Sequence, residues 1–314
     1  MLKVLLVKTS SLGDVVHNLP VVADIRARFP DACIDWLVEE AYAPLVRLQP
    51  AIRKAIPVAI RRWRSRPLGP SIWSELAVLR GLFCAERYDA IIDTQGLIKS
   101  ALLARMARGR HHGFDAKSAR EPLASLFYEV THYVSRDQHA VQRNRSLAAS
   151  ALGYGVEGPV FWGIAAGEPL PARYAVLLHS TSRADKHWPE DRWVALAREM
   201  AATGLRCVLP WGSEEERSRS LRIASFIAGA EVPERLPLAQ MAVMLGAASA
   251  VAGVDTGLTH LAAALGAPVA AIYCSTDPAL TGVYGARRAR NLGGPGIVPE
   301  VAQVSAALRE LVAT

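Results

Sequence analysis

The sequence predicts an α/β protein of two units, each a parallel β-sheet with helices on both faces. Three observations carry this. Short aliphatic runs without polar alternation, of which residues 3–7 are the first, suit strands buried on both faces, and they alternate with amphipathic stretches. Parallel strands need a crossover, and helices supply it. The chain has 314 residues, more than one domain usually holds. A stretch rich in Gly and Pro and without periodicity, 153–172, separates two such series.

In order, a strand at 3–7 leads through a polar loop into a helix over 15–28, with a restart near Pro20 and a stop at Pro30. Strands are expected at 34–38 and 89–93, and helices at 72–87, 97–107 and 138–151. The second series opens with a strand at 174–179. It continues with helix 189–203, strand 205–209, helices 213–228 and 238–247, strand 249–254, helix 258–265 and strand 268–273. Domains are expected at 1–155 and 173–314 with 156–172 as linker; the last helix, 299–312, belongs to the second or packs back on the first. Ligands are expected at the carboxyl ends of the strands, where the two sheets face a central cleft.

Half of the chain is hydrophobic (51%) and 21% is charged, which suits a filled interior. No run of 18 uncharged apolar residues occurs, and the N-terminus turns polar at once, without the apolar core of a signal peptide. A cytoplasmic location is expected. Cys33, Cys84, Cys207 and Cys274 lack metal-ligand spacing and read as reduced core thiols. Residues 1–150 hold 22 Lys and Arg against 14 Asp and Glu, whereas 151–314 hold 14 against 15. A basic first half implies a polyanion or anionic surface: nucleic acid, acidic lipid or acidic sugar. No RNA- or DNA-reading motif is present, so nucleic acid is not expected. A monomer is expected.

Two segments of the first half carry chemistry. In Lys8-Thr9-Ser10-Ser11-Leu12-Gly13-Asp14 a single Gly stands where a dinucleotide fingerprint needs three, and Asp14 repels a pyrophosphate. The loop suits a hydroxylated acceptor, with Asp14 as general base; alternatively Asp14 only caps the next helix. In Ile60-Arg61-Arg62-Trp63-Arg64, with Arg66 following, guanidinium forks are dense enough to grip carboxylate or phosphate, or else form a solvated face. Trp63 covers an apolar edge or anchors the loop. Arg120 joins this cluster or pairs with Glu121.

The second half offers anion sites. In the segment from His179 to Pro189, hydroxyls and Lys186 precede a helix start, a plausible diphosphate site with Lys186 holding leaving-group charge. Trp211-Gly212-Ser213-Glu214-Glu215-Glu216 offers an acid to ribose hydroxyls, or only favourable charge at a helix start. In Gly253-Val254-Asp255-Thr256-Gly257-Leu258-Thr259-His260, the Thr256 and Gly257 amides point at an anion and Gly257 permits close approach. Asp255 caps the helix or orients a sugar hydroxyl; His260 reaches the site or packs beneath it. Ser275-Thr276-Asp277-Pro278 and Gln138-His139 lie at corresponding strand and helix ends.

Taken together, KTSSLGDVVHNLP, VEE, IPVAIRRWR, IDTQGLIKSAL, AREPLASLFY, DKHWP, LPWGS and VDTGLTHL resemble the lipopolysaccharide heptosyltransferases of glycosyltransferase family 9. The likeness runs from residue 2 to about 285 and is nearest to members that add the first inner-core heptose. It departs at Ser65, where relatives often carry Lys, and at Cys274-Ser275, in place of Gly-Pro. The resemblance implies a GT-B fold, with an acceptor domain followed by a domain that binds ADP-heptose. It also implies inversion without a catalytic metal or other cofactor. Asp14 matches the base that deprotonates a Kdo hydroxyl of Kdo2-lipid A, with Ser10 and Ser11 beside it expected to bind the acceptor. Thr181, Ser182 and Lys186 match diphosphate-binding positions, Glu216 a ribose-binding acid, and Asp255, Thr256, Gly257 and His260 the rest of the donor site. Arg61, Arg62, Arg64 and Arg120 match residues that meet acceptor carboxylates and phosphates. An enzyme peripheral on the cytoplasmic face of an anionic inner membrane is implied. Two alternatives stand beside this. A family member acting on a neutral heptose needs fewer cations than this cluster holds, and a nicotinamide-dependent oxidoreductase needs the missing glycine fingerprint.

Overall fold

The run that opens the chain forms β1 (Lys3–Val7), with Val4 to Val7 fully buried. The computed structural model describes residues 1–65, 70–164 and 172–313, which divide into two units, Met1–Gly163 and Ile164–Thr314. Residues 165–171 of the expected linker, and Arg66, lie outside the described residues.

In the first unit β1 is central. With β2 (Cys33–Glu39), β3 (Ile52–Val58), β4 (Arg87–Asp93), β5 (Arg108–Phe114) and β6 (Val130–His132) it forms a parallel sheet in the order β3-β2-β1-β4-β5-β6. The order reverses between β1 and β4, so the loops after these two strands diverge and leave room for a ligand at the carboxyl edge. Leu5, Val7, Leu37, Ile56, Phe83 and Ile91 pack into one core cluster. The expected helix at 15–28 is two helices, Leu12–Val16 and Leu19–Arg28, with Pro20 in the first turn of the second. Buried Arg145 on helix Ala140–Leu152 ties back to Asp24 through Nε at 2.7 Å and Nη2 at 2.9 Å.

The second unit has β7 (Ala172–Leu178), β8 (Arg206–Val208), β9 (Ala248–Val254), β10 (Val269–Tyr273) and β11 (Ala289–Gly293), parallel in the order β11-β10-β9-β7-β8. Here the reversal falls between β7 and β9. Helix Gly257–Ala264 lies so close to β9 that a Cβ on Gly253 would sit 2.1 Å from Thr259 Oγ1, and that hydroxyl donates to Val254 O at 2.7 Å. The last helix, Val301–Ala313, packs on helix Glu190–Ala202 and on β9 and β10, with Val304 and Leu308 in the second unit's core.

Four strands escape the sequence reading for one reason. β3, β5, β6 and β11 carry no unbroken aliphatic run: Arg53 and Lys54 of β3 are exposed and Pro57 interrupts its apolar end, β5 reads RGRHHGF, and β3, β6 and β11 are sheet edges. Helix Ile60–Ser65, built from the arginine-rich segment, likewise lacks a long apolar period. All four cysteines are free, but the expectation of core thiols fails at Cys84, which is exposed at the end of helix Pro70–Cys84. No described helix is long and apolar enough to cross a membrane.

Candidate functional site

At the carboxyl edge of the first sheet, Asp14 is held by its own loop. Oδ2 accepts from the Ser11 amide at 2.8 Å and the Ser11 hydroxyl at 3.2 Å, and Arg120 Nη1 lies 3.6 Å away. Asp14 is the third residue of helix Leu12–Val16, so it caps that helix and remains 25% exposed. Capping thus leaves the carboxylate accessible. Arg120 pairs with Asp14; the Glu121 carboxylate instead accepts from the Ile98 amide at 2.7 Å.

The loop carrying Ser10 is fixed from β4. Gln95 Oε1 accepts two successive amides, Thr9 at 3.0 Å and Ser10 at 3.1 Å. Gln95 is aimed by Asp93, fully buried at the end of β4, whose carboxylate accepts from the Gln95 and Gly96 amides, Ser100 Oγ and Tyr128 Oη. Burial pushes the Asp93 carboxyl up against the pull of these bonds. Gly96, at φ +66°, passes Arg120 so closely that a Cβ would lie 3.2 Å from its amide nitrogen. Lys8, also buried, donates to Thr94 O at 2.6 Å. Desolvation lowers its ammonium to about 8 despite the attraction of Asp14 and Asp93.

The arginine cluster is not uniform. Arg61 donates to Tyr42 Oη at 2.5 Å and lies 5.2 Å over that ring, and its amide donates to Glu39 Oε1 at 3.2 Å. Arg62 is taken up by two carboxylates, Glu40 at 3.1 Å and Glu75 at 2.7 Å. Trp63 anchors the segment: its ring packs on the core and Nε1 donates to Glu75 Oε2 at 2.7 Å. Arg64 is exposed, with no ion-pair partner among the described residues. Buried Glu39, at the end of β2, has its carboxyl raised by desolvation in spite of Arg61.

In the second unit, the loops after β7 and β9 meet at the strand-order reversal. Lys186 Nζ donates to Asp255 Oδ2 at 2.7 Å, Thr276 Oγ1 donates to the same oxygen at 2.7 Å, and His260 Nε2 lies 3.4 Å from Oδ1. Burial works to raise the Asp255 carboxyl, but its bonds with His260, Lys186 and Thr276 outweigh that and hold it below the usual carboxylate range. Thr181 Oγ1 donates to Asp255 O at 3.0 Å, joining the two loops directly. Thr256 is the N-cap of helix Gly257–Ala264 and makes no side-chain cap, which leaves the first amides for an anion. Asp255 therefore does not cap that helix.

Beside these loops a cavity of about 790 Å³ is lined by Thr181, Ser182, His187, Ser213 and Glu216, among others. Glu216 closes a capping box: Oε2 accepts from the Gly212 amide at 2.6 Å and the Ser213 amide at 3.3 Å. Arg219, buried behind the cavity, donates to Trp188 O at 2.8 Å and to His187 Nδ1. With Nδ1 an acceptor, His187 Nε2 carries the proton it gives to Thr181 O at 3.2 Å. His139 N-caps helix Ala140–Leu152, accepting the Val141 amide at 3.1 Å.

Residues 77–306 match the family model of glycosyltransferase family 9 (heptosyltransferase). The chain belongs to this family. It is 45% identical over 291 residues to lipopolysaccharide heptosyltransferase 1 of Escherichia coli K12, which covers 90% of this chain and 91% of that one. The family's fold extends over the whole length. The Escherichia coli heptosyltransferase WaaC with ADP superposes with a TM-score of 0.90 at 42% identity, covering 99% of both chains. WaaC with ADP-2-deoxy-2-fluoro heptose gives 0.87 at the same identity and coverage. The chain is thus a glycosyltransferase of GT-B fold.

Within this family member, several residues of the quoted segments take roles that the motifs do not show. Thr276 lies in a segment with a loop-like sequence, yet it completes the shell around Asp255. Gln95, Asp93 and Lys8 act on the Asp14 loop through the fold. Asp93 and Gln95 stand in IDTQGLIKSAL and Lys8 opens KTSSLGDVVHNLP, but neither motif by itself tells that these side chains meet at the Asp14 loop.

Proposed function

We propose that the chain transfers heptose from ADP-heptose to a Kdo hydroxyl of Kdo2-lipid A, with inversion at the anomeric carbon. The observation that carries the acceptor half is Asp14, exposed enough to meet a ligand, oriented by Ser11 and set beside Arg120. The likeness to WaaC, solved with ADP and with ADP-2-deoxy-2-fluoro heptose, supports the identity of the donor. In one displacement step the acceptor oxygen attacks C1 of the heptose and the bond from C1 to the diphosphate oxygen breaks. The acceptor proton passes to Asp14, an effect of about 10²- to 10⁴-fold. ADP leaves with the bonding electron pair, its charge met by Lys186 and the first amides of helix Gly257–Ala264. Thr181, Ser182, Glu216, Asp255 and His260 hold the nucleotide sugar, and no metal or cofactor takes part. Arg61, Arg64 and Arg120 receive the acceptor's carboxylates and phosphates. Arg62 joins them only by exchanging Glu40 or Glu75 for the acceptor.

A neutral heptose acceptor would leave these cations without counter-charge, so Kdo is favoured. The enzyme acts as a monomer, peripheral on the cytoplasmic face of the inner membrane, where its acceptor is anchored. Incubation with ADP-heptose and either heptose-free Kdo2-lipid A or the already heptosylated lipid tests this. Product from the first alone is expected; product from the second alone would overturn the acceptor assignment.

A further inference from the structure

Helix Pro70–Cys84 is apolar on the side that faces water. Leu79 and Phe83 are buried in the first unit's core, and Trp63 packs against the same cluster. At 3.6 residues per turn, Trp73, Ala77, Val78, Gly81 and Leu82 cover the opposite arc, interrupted only by Ser74 and Arg80. Trp73 is 73% exposed, Val78 65% and Leu82 47%. A surface helix ordinarily places polar residues there. Val78 and Leu82 further line, with Pro57, Ala59 and Trp63, one side of a shallow groove of about 340 Å³ whose other side is the Arg62 ion pair with Glu40 and Glu75.

The charge around this face is specific. Arg80 on the helix and Arg87 just after it are exposed and without ion-pair partners among the described residues. They belong to the half of the chain with 22 basic against 14 acidic residues. An apolar arc containing Trp, bordered by unpaired arginines, has the composition of a helix that lies in a bilayer interface. The apolar side chains enter the headgroup boundary, and the arginines bury their stems while holding their charge at phosphate level. Self-association through the same face would instead bring unpaired arginines of both copies together, which costs energy in an isologous contact.

The geometry points to this helix face as the surface on which the first unit docks to an anionic lipid bilayer, with Trp73, Val78 and Leu82 inserted. The inference deepens the proposed function, whose lipid-linked acceptor gives the docking its purpose, but the binding itself does not depend on turnover. Replacing Trp73, Val78 and Leu82 together by Ser removes the inserted groups without touching a residue that meets substrate.

Sedimentation with vesicles of phosphatidylethanolamine and phosphatidylglycerol reads the effect. The wild type is expected to bind these in preference to phosphatidylcholine, and the triple variant to bind at least tenfold more weakly. Binding by the wild type is expected to be weakened but retained at high salt, that of the variant abolished. An unchanged thermal melt and unchanged transfer to a deacylated, water-soluble acceptor confirm that the variant is folded. Equal vesicle binding by both proteins would overturn the proposal. So would a wild type that ignores vesicles and sediments as a dimer that the variant dissolves. Absence of transfer by the wild type itself would refute the proposed function and leave the vesicle result standing.

Discussion

Lys186 and Asp255 form an ion pair, Nζ to Oδ2 at 2.7 Å, with side chains only 17% and 9% exposed. The pair closes the junction between the loops after β7 and β9, and it holds in place the cation proposed to meet the leaving diphosphate. Removing one partner leaves the other charge buried and uncompensated. Lys186→Ala should therefore lower stability by about 3 kcal/mol and raise KM for ADP-heptose about 10- to 100-fold. Calorimetry and initial rates check both effects. A variant as stable as the wild type would show that the pair is not a structural tie.

The depressed Asp255 carboxyl fixes the sign of an acid effect. A group with a lowered folded-state pKa contributes stability above its unfolded value, near 3.8, and loses it as pH falls through the folded value. This contribution should be intact at neutral pH and vanish in strong acid. Urea titrations across the acid range should show a smaller loss in Asp255→Asn than in the wild type.

Lys8 predicts the reverse side of the pH scale. Its ammonium is lowered from 10.5 to about 8 by burial, so between these values the unfolded chain binds more protons and stability rises with pH. The rise attributable to Lys8 is about 3 kcal/mol. Lys8→Met should flatten the stability curve over this interval.

Gln95 is predicted to position the Asp14 loop. Gln95→Leu leaves the Thr9 and Ser10 amides without their acceptor, at a cost of about 1–3 kcal/mol. Turnover should fall by about 10- to 100-fold while ADP affinity holds, and Gln95→Glu, which keeps the acceptor, should restore most of the lost rate. A fall in ADP affinity equal to the fall in rate would contradict a role confined to the acceptor loop.

The aliphatic runs of β1, β7, β9 and β10 revealed both sheets because each strand is buried on both faces. Edge strands such as β3 and β11 were hidden, since an edge tolerates Arg53, Lys54 or Asn291 facing water. Motifs exposed Asp14, Lys186 and Asp255, which lie in short polar loops directly after such strands. Thr276 and Gln95 were not legible in the same way, because their partners are 21 and 86 residues distant and only the fold brings them together. Nor does spacing show that Arg62 is neutralised by Glu40 and Glu75 while Arg64 is left exposed.

The central claim is that Asp14 takes the acceptor proton and has no part in holding the nucleotide. Its most direct test is Asp14→Ala, read as single-turnover transfer from ADP-heptose to Kdo2-lipid A beside calorimetric titration with ADP. Transfer lowered by about 10²- to 10⁴-fold, with ADP affinity unchanged, is the predicted result. Transfer at the wild-type rate would contradict it.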